Sequence, residues 1–190
     1  MELMKAIKGR RSIRRYKSQP VDDETLNIIL EAARQAPSWA NTQCWRFVVV
    51  RDSKLKNRLA DTAIKVATGK PNRGGEAMRV TPVAIVACAE MRKAGYYKKE
   101  PGGPVTDKGD WYMYDVALAM QNLTLAAHAL GLGTVHIGAF DAIKAAEILG
   151  VPQGYAVVAM TPLGYPDEAP NPRPRKELNE IVFHDKFGFE

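Results

Sequence analysis

The sequence has little histidine and less cysteine. Three histidines and two cysteines, Cys44 and Cys88, among 190 residues rule out a disulfide-stapled scaffold and offer no metal-ligand spacing. Long apolar runs are missing as well. The longest, such as residues 83–89, is strand-sized and far short of the ~20 residues that span a bilayer. The start, Met1 to Lys5, shows neither an apolar core nor a small-residue cleavage site, so the expectation is a cytoplasmic domain without a signal peptide. There is no internal repeat, no Gly-x-Ser-x-Gly elbow, no phosphate-loop lysine and no His-Glu-x-x-His. Gly131 and Gly133 do not make a dinucleotide fingerprint. The third glycine is absent, and the pair leaves a helix for a strand, the reverse of the required context.

What is present fits one globular domain over residues 1–190: 46% hydrophobic and 25% charged residues, enough apolar material for a core. Twenty-seven basic against 21 acidic side chains leave a net charge of +6. That balance suits an anionic partner, either a cofactor phosphate or a nucleic acid.

The periodicity predicts a helix over 2–8 stopped by Gly9, then a basic extended stretch over 10–17. Asp22 caps a helix carrying Leu26, Ile29, Leu30 and Ala33 at helical spacing, which ends where Ala36 meets Pro37. Residues 47–50 read as a strand, and Ser53 as the cap of a helix over 54–67. The apolar run 82–89 reads as a strand covered on both faces. Residues 91–110, rich in Gly, Pro and Lys, read as a mobile surface loop. Residues 111–130 form a long helix, apolar nearly all round, expected in the core or at an oligomer interface. Gly131 ends it in the left-handed conformation. A strand over 134–137, a helix from the Asp141 cap to Leu149, a strand over 155–162 and an extended proline-rich tail over 164–190 complete the chain. The tail closes on Phe183, Phe187 and Phe189. Strands and helices without a regular βαβ rhythm indicate α+β.

Four segments carry candidate chemistry. In Arg10-Arg11-Ser12-Ile13-Arg14-Arg15-Tyr16-Lys17, five basic groups surround a hydroxyl. Guanidinium groups bind phosphate oxygens through paired charge-assisted hydrogen bonds; a solvated basic edge and a nucleic-acid patch are the alternatives. Ile13 and Tyr16 interrupt the charge, as on an edge packed against a core. Ser38-Trp39-Ala40-Asn41-Thr42-Gln43-Cys44-Trp45 loads a helix-to-strand connection with polar groups suited to the donor-and-acceptor edge of a ring system; an ordinary capped loop with core tryptophans is the alternative. The glycines from Gly131 to Gly138 let backbone approach something flat, and His136 among them reads as a packed or hydrogen-bonded core histidine. Arg173 and Arg175 alternate between prolines on a stiff extended segment, which together with Arg10 and Arg14 can close a phosphate site from both chain ends. Cys88 reads as inert core.

Taken in order, these segments resemble the FMN-dependent nitroreductase family. The likeness runs from Arg-Arg-Ser-Ile-Arg at 10–14, through Ala36-Pro37-Ser38 to Asn41-x-Gln43-x-Trp45, Gln121-Asn122-Leu123 and Gly131-Leu132-Gly133-Thr134, to Gly138 and Gly164-Tyr165-Pro166 with Arg173 and Arg175. The resemblance implies an α+β nitroreductase-like fold with a central, mostly antiparallel sheet, assembled as an intertwined homodimer with FMN at the interface. It implies that Arg10, Arg11 and Ser12 hold the phosphate, that Arg14 lies near the N1–C2=O edge, and that Arg173 and Arg175 return to the phosphate. Ser38, Trp39 and Asn41 would come from the other subunit, and backbone at Ile137 and Gly138 would approach N5. The implied activity is electron transfer from NAD(P)H through FMN to a nitroaromatic, quinone or similar small acceptor by a ping-pong route, with no catalytic side chain and no nucleic-acid or membrane partner. Reductive dehalogenation on the same fold, flavin binding without turnover and a basic nucleic-acid-binding module are the rivals. Cys44 stands where such proteins frequently have proline, Asn72 and Arg73 are candidates for a further ring contact, and the loop with Tyr96 and Tyr97 sits where a substrate lid would.

Overall fold

A computed structural model describes residues 1–65, 69–98 and 102–188. In chain order the elements are α1 (Leu3–Gly9), α2 (Asp23–Arg34), β1 (Trp45–Val50), α3 (Ser53–Asp61), α4 (Arg73–Val80), β2 (Val83–Glu90), α5 (Tyr112–Ala129), β3 (Gly133–Thr134), α6 (Ala142–Leu149) and β4 (Tyr155–Gly164). The strands form one antiparallel sheet in the order β1-β2-β4-β3, so the α+β fold with an antiparallel centre holds. No helix among the described residues is long and apolar enough to cross a membrane.

β2 explains the layering. Its residues from Val83 to Ala89 are buried, and because side chains alternate along a strand they feed two separate cores. Val83, Ile85, Ala87 and Ala89 pack with Leu26 and Ile29 of α2 and with Val116, Met120 and Leu123 of α5. Ala84, Val86 and Cys88 pack on the opposite face with Leu59 of α3, Met78 of α4 and Ala145 of α6. A continuous apolar run is what a strand sandwiched between two helix layers requires.

Short polar residues set the helix starts. The carboxylates of Asp22 and Asp141 accept backbone N–H bonds from Thr25 at 2.7 Å and Lys144 at 3.0 Å, as the sequence predicts. Gly131 and Gly150 end their helices at φ of 81° and 64°, a conformation in which L side chains are strained.

Several expectations need correction. Asp52, not Ser53, caps α3, its Oδ1 accepting from Leu55 N at 2.7 Å. That helix stops at Asp61 rather than 67 because Ala63 pairs with Phe140 in an antiparallel bridge; 66 and 67 lie outside the described residues. The 134–137 strand shrinks to Gly133–Thr134 plus a single bridge from Ile137 to Met160. Of the two places expected for α5, core or oligomer interface, the core of one chain takes only one side, since Met113 and Tyr114 are exposed. α4, which the sequence pattern did not suggest, starts from Asn72, whose Oδ1 accepts from Gly74 N at 2.9 Å. Within the 91–110 segment, Val105 N donates to Gly95 O and Trp111 N to Ala94 O, while 99–101 lie outside the described residues. Phe183 and Phe187 stack with centroids 4.5 Å apart; Phe189 lies outside the described residues.

The sheet continues beyond β3 through the basic N-terminal segment. Ser12 bridges Thr134 in parallel, and Ile13 N donates to Thr134 O at 2.9 Å. Ile13 turns inward and is buried, leaving Ser12 and Arg14 on the alternate face, and Tyr16 is buried where the segment pairs with Pro166. Gly133 permits this docking: a Cβ there would sit 2.6 Å from Ile13 Cγ1, closer than carbon atoms approach. Replacing Gly133 with alanine is therefore expected to lower the unfolding free energy by about 1–3 kcal/mol through overpacking, as a reduced midpoint at unchanged m-value in urea.

Candidate functional site

A basic cleft opens along that outward face. A cavity of about 460 Å³ is lined by Arg10, Ser12 and Arg14 from the N-terminal segment, Gln121 and Thr124 from α5, His136 after β3, and Arg175 from the tail. It adjoins a second hollow of about 940 Å³ that shares Arg10, Ser12, Arg14 and Arg175 and adds Arg11, Asn72, Arg73 and Arg173. Residues from the two ends of the chain thus converge on one cleft.

The tail is tied down at its root. Lys17 N donates to Tyr165 O at 2.9 Å and Asp167 N to Arg15 O at 3.0 Å. Glu168 accepts from Arg14 N at 2.5 Å and Arg15 N at 3.2 Å and pairs with the Arg15 guanidinium at 3.5 Å. That carboxylate, the only acidic group among the described residues lining either hollow, is engaged by backbone and by Arg15, so it does little to offset the cleft arginines.

Among the described residues, Arg10, Arg14, Arg173 and Arg175 form no salt bridge. Burial first, then the charges of Arg175 and Arg11, hold the Arg10 guanidinium below its usual pKa. Like-charged groups crowded without a protein counterion suit an anionic ligand. Arg11 differs from the rest: its Nη1 donates to Lys8 O at 2.7 Å and Arg10 O at 2.9 Å, so it contributes field more than contact. The Ser12 hydroxyl makes no hydrogen bond among the described residues and is free to donate. Arginine forks beside a free hydroxyl fit a phosphate monoester.

The next wall is built for close approach. Ile137 is buried, but Gly138 is exposed, and a Cβ placed on it would meet no atom within 4 Å. On Gly74 a Cβ would lie 2.8 Å from Ile137 Cγ1, so that glycine lets the start of α4, with Asn72 and Arg73, crowd against this stretch. Asn72 is occupied as the helix cap, which leaves Arg73 as the freer of the two candidates.

His136 is hydrogen-bonded, as expected, but departs from expectation in its place. It is not a core residue: it is exposed to the cleft, with Nε2 2.8 Å from Thr124 Oγ1. Desolvation, then Arg10, lowers its pKa. Ser38, Trp39 and Asn41 do not line the cleft. Ser38 Oγ accepts from Gln43 N at 3.0 Å, Asn41 Oδ1 accepts from Gln43 Nε2 at 3.1 Å, and the Trp39 ring packs against Trp111 at 5.2 Å. Both cysteines are inert, burial pushing Cys44 up to about 12 and Cys88 to about 11.

Sequence reasoning quoted Gln121 in the family pattern without a role, and missed Thr124, Glu168 and the buried Asp115. The signal for Asp115 was there, as a lone carboxylate on an otherwise apolar helix.

The lowered pKa of His136 makes stability depend on pH. Its folded-state pKa lies below the ordinary 6.5, so between the two values the unfolded chain binds more protons, and stability falls as pH drops through that window. His128 shifts the same way, through burial and then Arg10 and Arg11. Chemical denaturation at about pH 7.5 and about pH 5.5 should show a smaller loss on acidification for His136→Gln than for wild type, with a residual slope from His128.

The Nitroreductase family model matches residues 7–165. The NADH dehydrogenase of Thermus thermophilus is 34% identical over 196 residues, covering 91% of each chain. A solved nitroreductase family protein from Clostridium novyi NT has a TM-score of 0.76 at 34% identity, over 99% of this chain and 96% of that one. An FMN-dependent nitroreductase from Clostridium difficile R20291 has a TM-score of 0.74 at 28% identity, over 97% and 99% of the two chains. With this family match over most of its length, and with its fold and basic cleft in place, the chain belongs to the nitroreductase family.

Proposed function

We propose that the chain is an NAD(P)H-dependent FMN oxidoreductase that passes electrons to a nitroaromatic, quinone or similar electron-poor small molecule. The observation that carries this reading is the convergence of Arg10, Arg14, Arg173 and Arg175 on one cleft, with no carboxylate among the described residues paired to any of them. FMN, when bound, would supply the redox chemistry of a ping-pong exchange of electrons between NAD(P)H and the acceptor.

The chain's own residues bind, orient and shield. Arg10, Ser12 and Arg175 hold the phosphate, with Arg11 and Arg173 adding positive field. Arg14 offers a fixed cation to negative charge on the N1–C2=O edge of the ring. Backbone at Ile137 and Gly138 would approach N5, and the bare Cα of Gly138 would leave room for a nicotinamide or an acceptor.

Ser38, Trp39 and Asn41 belong to this site through a second copy of the chain. Support for a homodimer comes from the apolar side chains left uncovered: Leu3, Met4 and Ile7 on α1, Met113 and Tyr114 on α5, and Leu178, Ile181 and Phe187 on the tail. Exposed apolar surface spread over both chain ends and the long helix is what an intertwined partner buries.

Two measurements test the reading. Protein reconstituted with FMN should show a bound-flavin spectrum that bleaches anaerobically with NADPH or NADH and returns on adding a nitroarene or quinone. A halogenated phenol used as the sole reoxidant separates dehalogenation from this activity, and a colourless protein that binds no FMN and shifts DNA instead would sink it. Arg10→Ala should raise the FMN Kd at least tenfold, in line with ~1.5–3 kcal/mol for a hydrogen bond to a charged group. Gly138→Val should fold normally, since its side chain enters open space, yet lower kcat/KM for the nicotinamide at least tenfold.

A further inference from the structure

Asp115 lies in the first turn of α5 and is 1% exposed. Both carboxylate oxygens accept from Trp39 N, each at 3.1 Å. Thr42 Oγ1 donates to Oδ2 at 3.4 Å and Cys44 Sγ at 3.6 Å. No salt bridge pairs it with a cation among the described residues. Burial, the largest influence, raises its pKa.

A buried carboxylate without a cation persists only when donors fill its lone pairs. Here every donor comes from one short connection, residues 39–44, between α2 and β1. The same connection holds Ala40, Asn41 and Gln43 at φ of 44°, 54° and 48°. Three non-glycine residues in left-handed backbone survive only where their surroundings over-determine them. Asp115 supplies that determination from below, through the Trp39 amide, while Trp111 packs the Trp39 ring from the side. Above this clamp Asn41 and Gln43 are exposed and Ser38 partly so, so the loop's polar side chains, bonded to one another, lie at the surface.

We propose that Asp115 is a positioning residue for the cofactor: through the backbone of Trp39 it locks the 38–43 loop in the strained form that offers Ser38 and Asn41 to the flavin ring in the cleft of a second copy. This rests on the FMN-dependent reading given above. An apolar residue at this position would pack under the loop more cheaply but would hold none of its three donors.

The test titrates FMN into full-length wild type, Asp115→Asn, Asp115→Ala and Arg10→Ala, recording both Kd and the visible spectrum of the bound flavin, which reports contacts at the ring. Asp115→Ala should raise Kd at least tenfold and move the bound spectrum toward that of free flavin. Asp115→Asn should do the same to a lesser degree, because its remaining carbonyl oxygen still accepts from Trp39 N. Arg10→Ala, acting at the phosphate, should weaken binding with the bound spectrum unchanged. The spectrum decides. If both Asp115 variants keep the wild-type bound spectrum, at whatever affinity or melting temperature, Asp115 serves only folding and the proposal is overturned. Should Asp115→Ala fail to fold, the spectrum of Asp115→Asn answers the same question. If wild type itself binds no FMN, the cofactor reading fails and this inference falls with it.

Discussion

The site depends on one packing contact, the seating of Ile13 over Gly133. With no Cβ at 133, the basic N-terminal segment lies flat against the last strand and continues the sheet through the Ser12–Thr134 bridge. Strand alternation does the rest. Once Ile13 is committed inward, its neighbours Ser12 and Arg14 are turned to the other face. Hydrogen bonds from the same segment to Tyr165 and Asp167 fix where the tail departs, which brings Arg173 and Arg175 back over the cleft. A single missing methyl group thus organises cations from both ends of the chain.

That arrangement is electrostatically unfavourable by itself. Four arginines crowd a cleft whose only acidic neighbour among the described residues, Glu168, is engaged elsewhere, and the lowered pKa values of Arg10 and His136 are the local record of burial and repulsion together. A site that is destabilised when empty is stabilised by the anion that fills it, by an amount set by ligand concentration relative to Kd. The two helix layers around β2 supply the apolar burial that lets the fold carry such a cluster.

Much of this was legible in sequence because it rests on local rules. Asp22 and Asp141 capped where expected, Gly131 took the left-handed conformation, and the unbroken run ending at Ala89 read correctly as a strand covered on both faces. The convergence of Arg10 with Arg175 was open from charge and stiffness and implied by the family resemblance. What failed was set by tertiary contacts. α4 begins Arg73-Gly74-Gly75, a poor helix start by propensity, yet Gly74 is required where that helix meets Ile137. α3 ended early because Ala63 pairs with Phe140, a distant partner that no local window contains. His136 looked like core because its neighbours Val135 and Ile137 are; the bridge to Met160 turns Ile137 in and leaves the imidazole facing the cleft.

The cleft and the 38–43 loop are opposite solutions to one problem. The cleft stores unfavourable charge, and the loop stores unfavourable backbone geometry; each is held by a core element, β3 in one case and α5 in the other. Within one copy the two stay apart, since Ser38, Trp39 and Asn41 line neither hollow of the cleft. In the two-copy site proposed above, cofactor binding and association of two copies would reinforce one another, because a flavin touching both surfaces would relieve the charge on one and use the ordered geometry of the other. A loop that had to become ordered on each binding event would weaken affinity by the entropy of fixing it. A buried carboxylate holding it in advance removes that penalty, which is a physical reason for a charged residue to sit in the apolar flank of the longest helix.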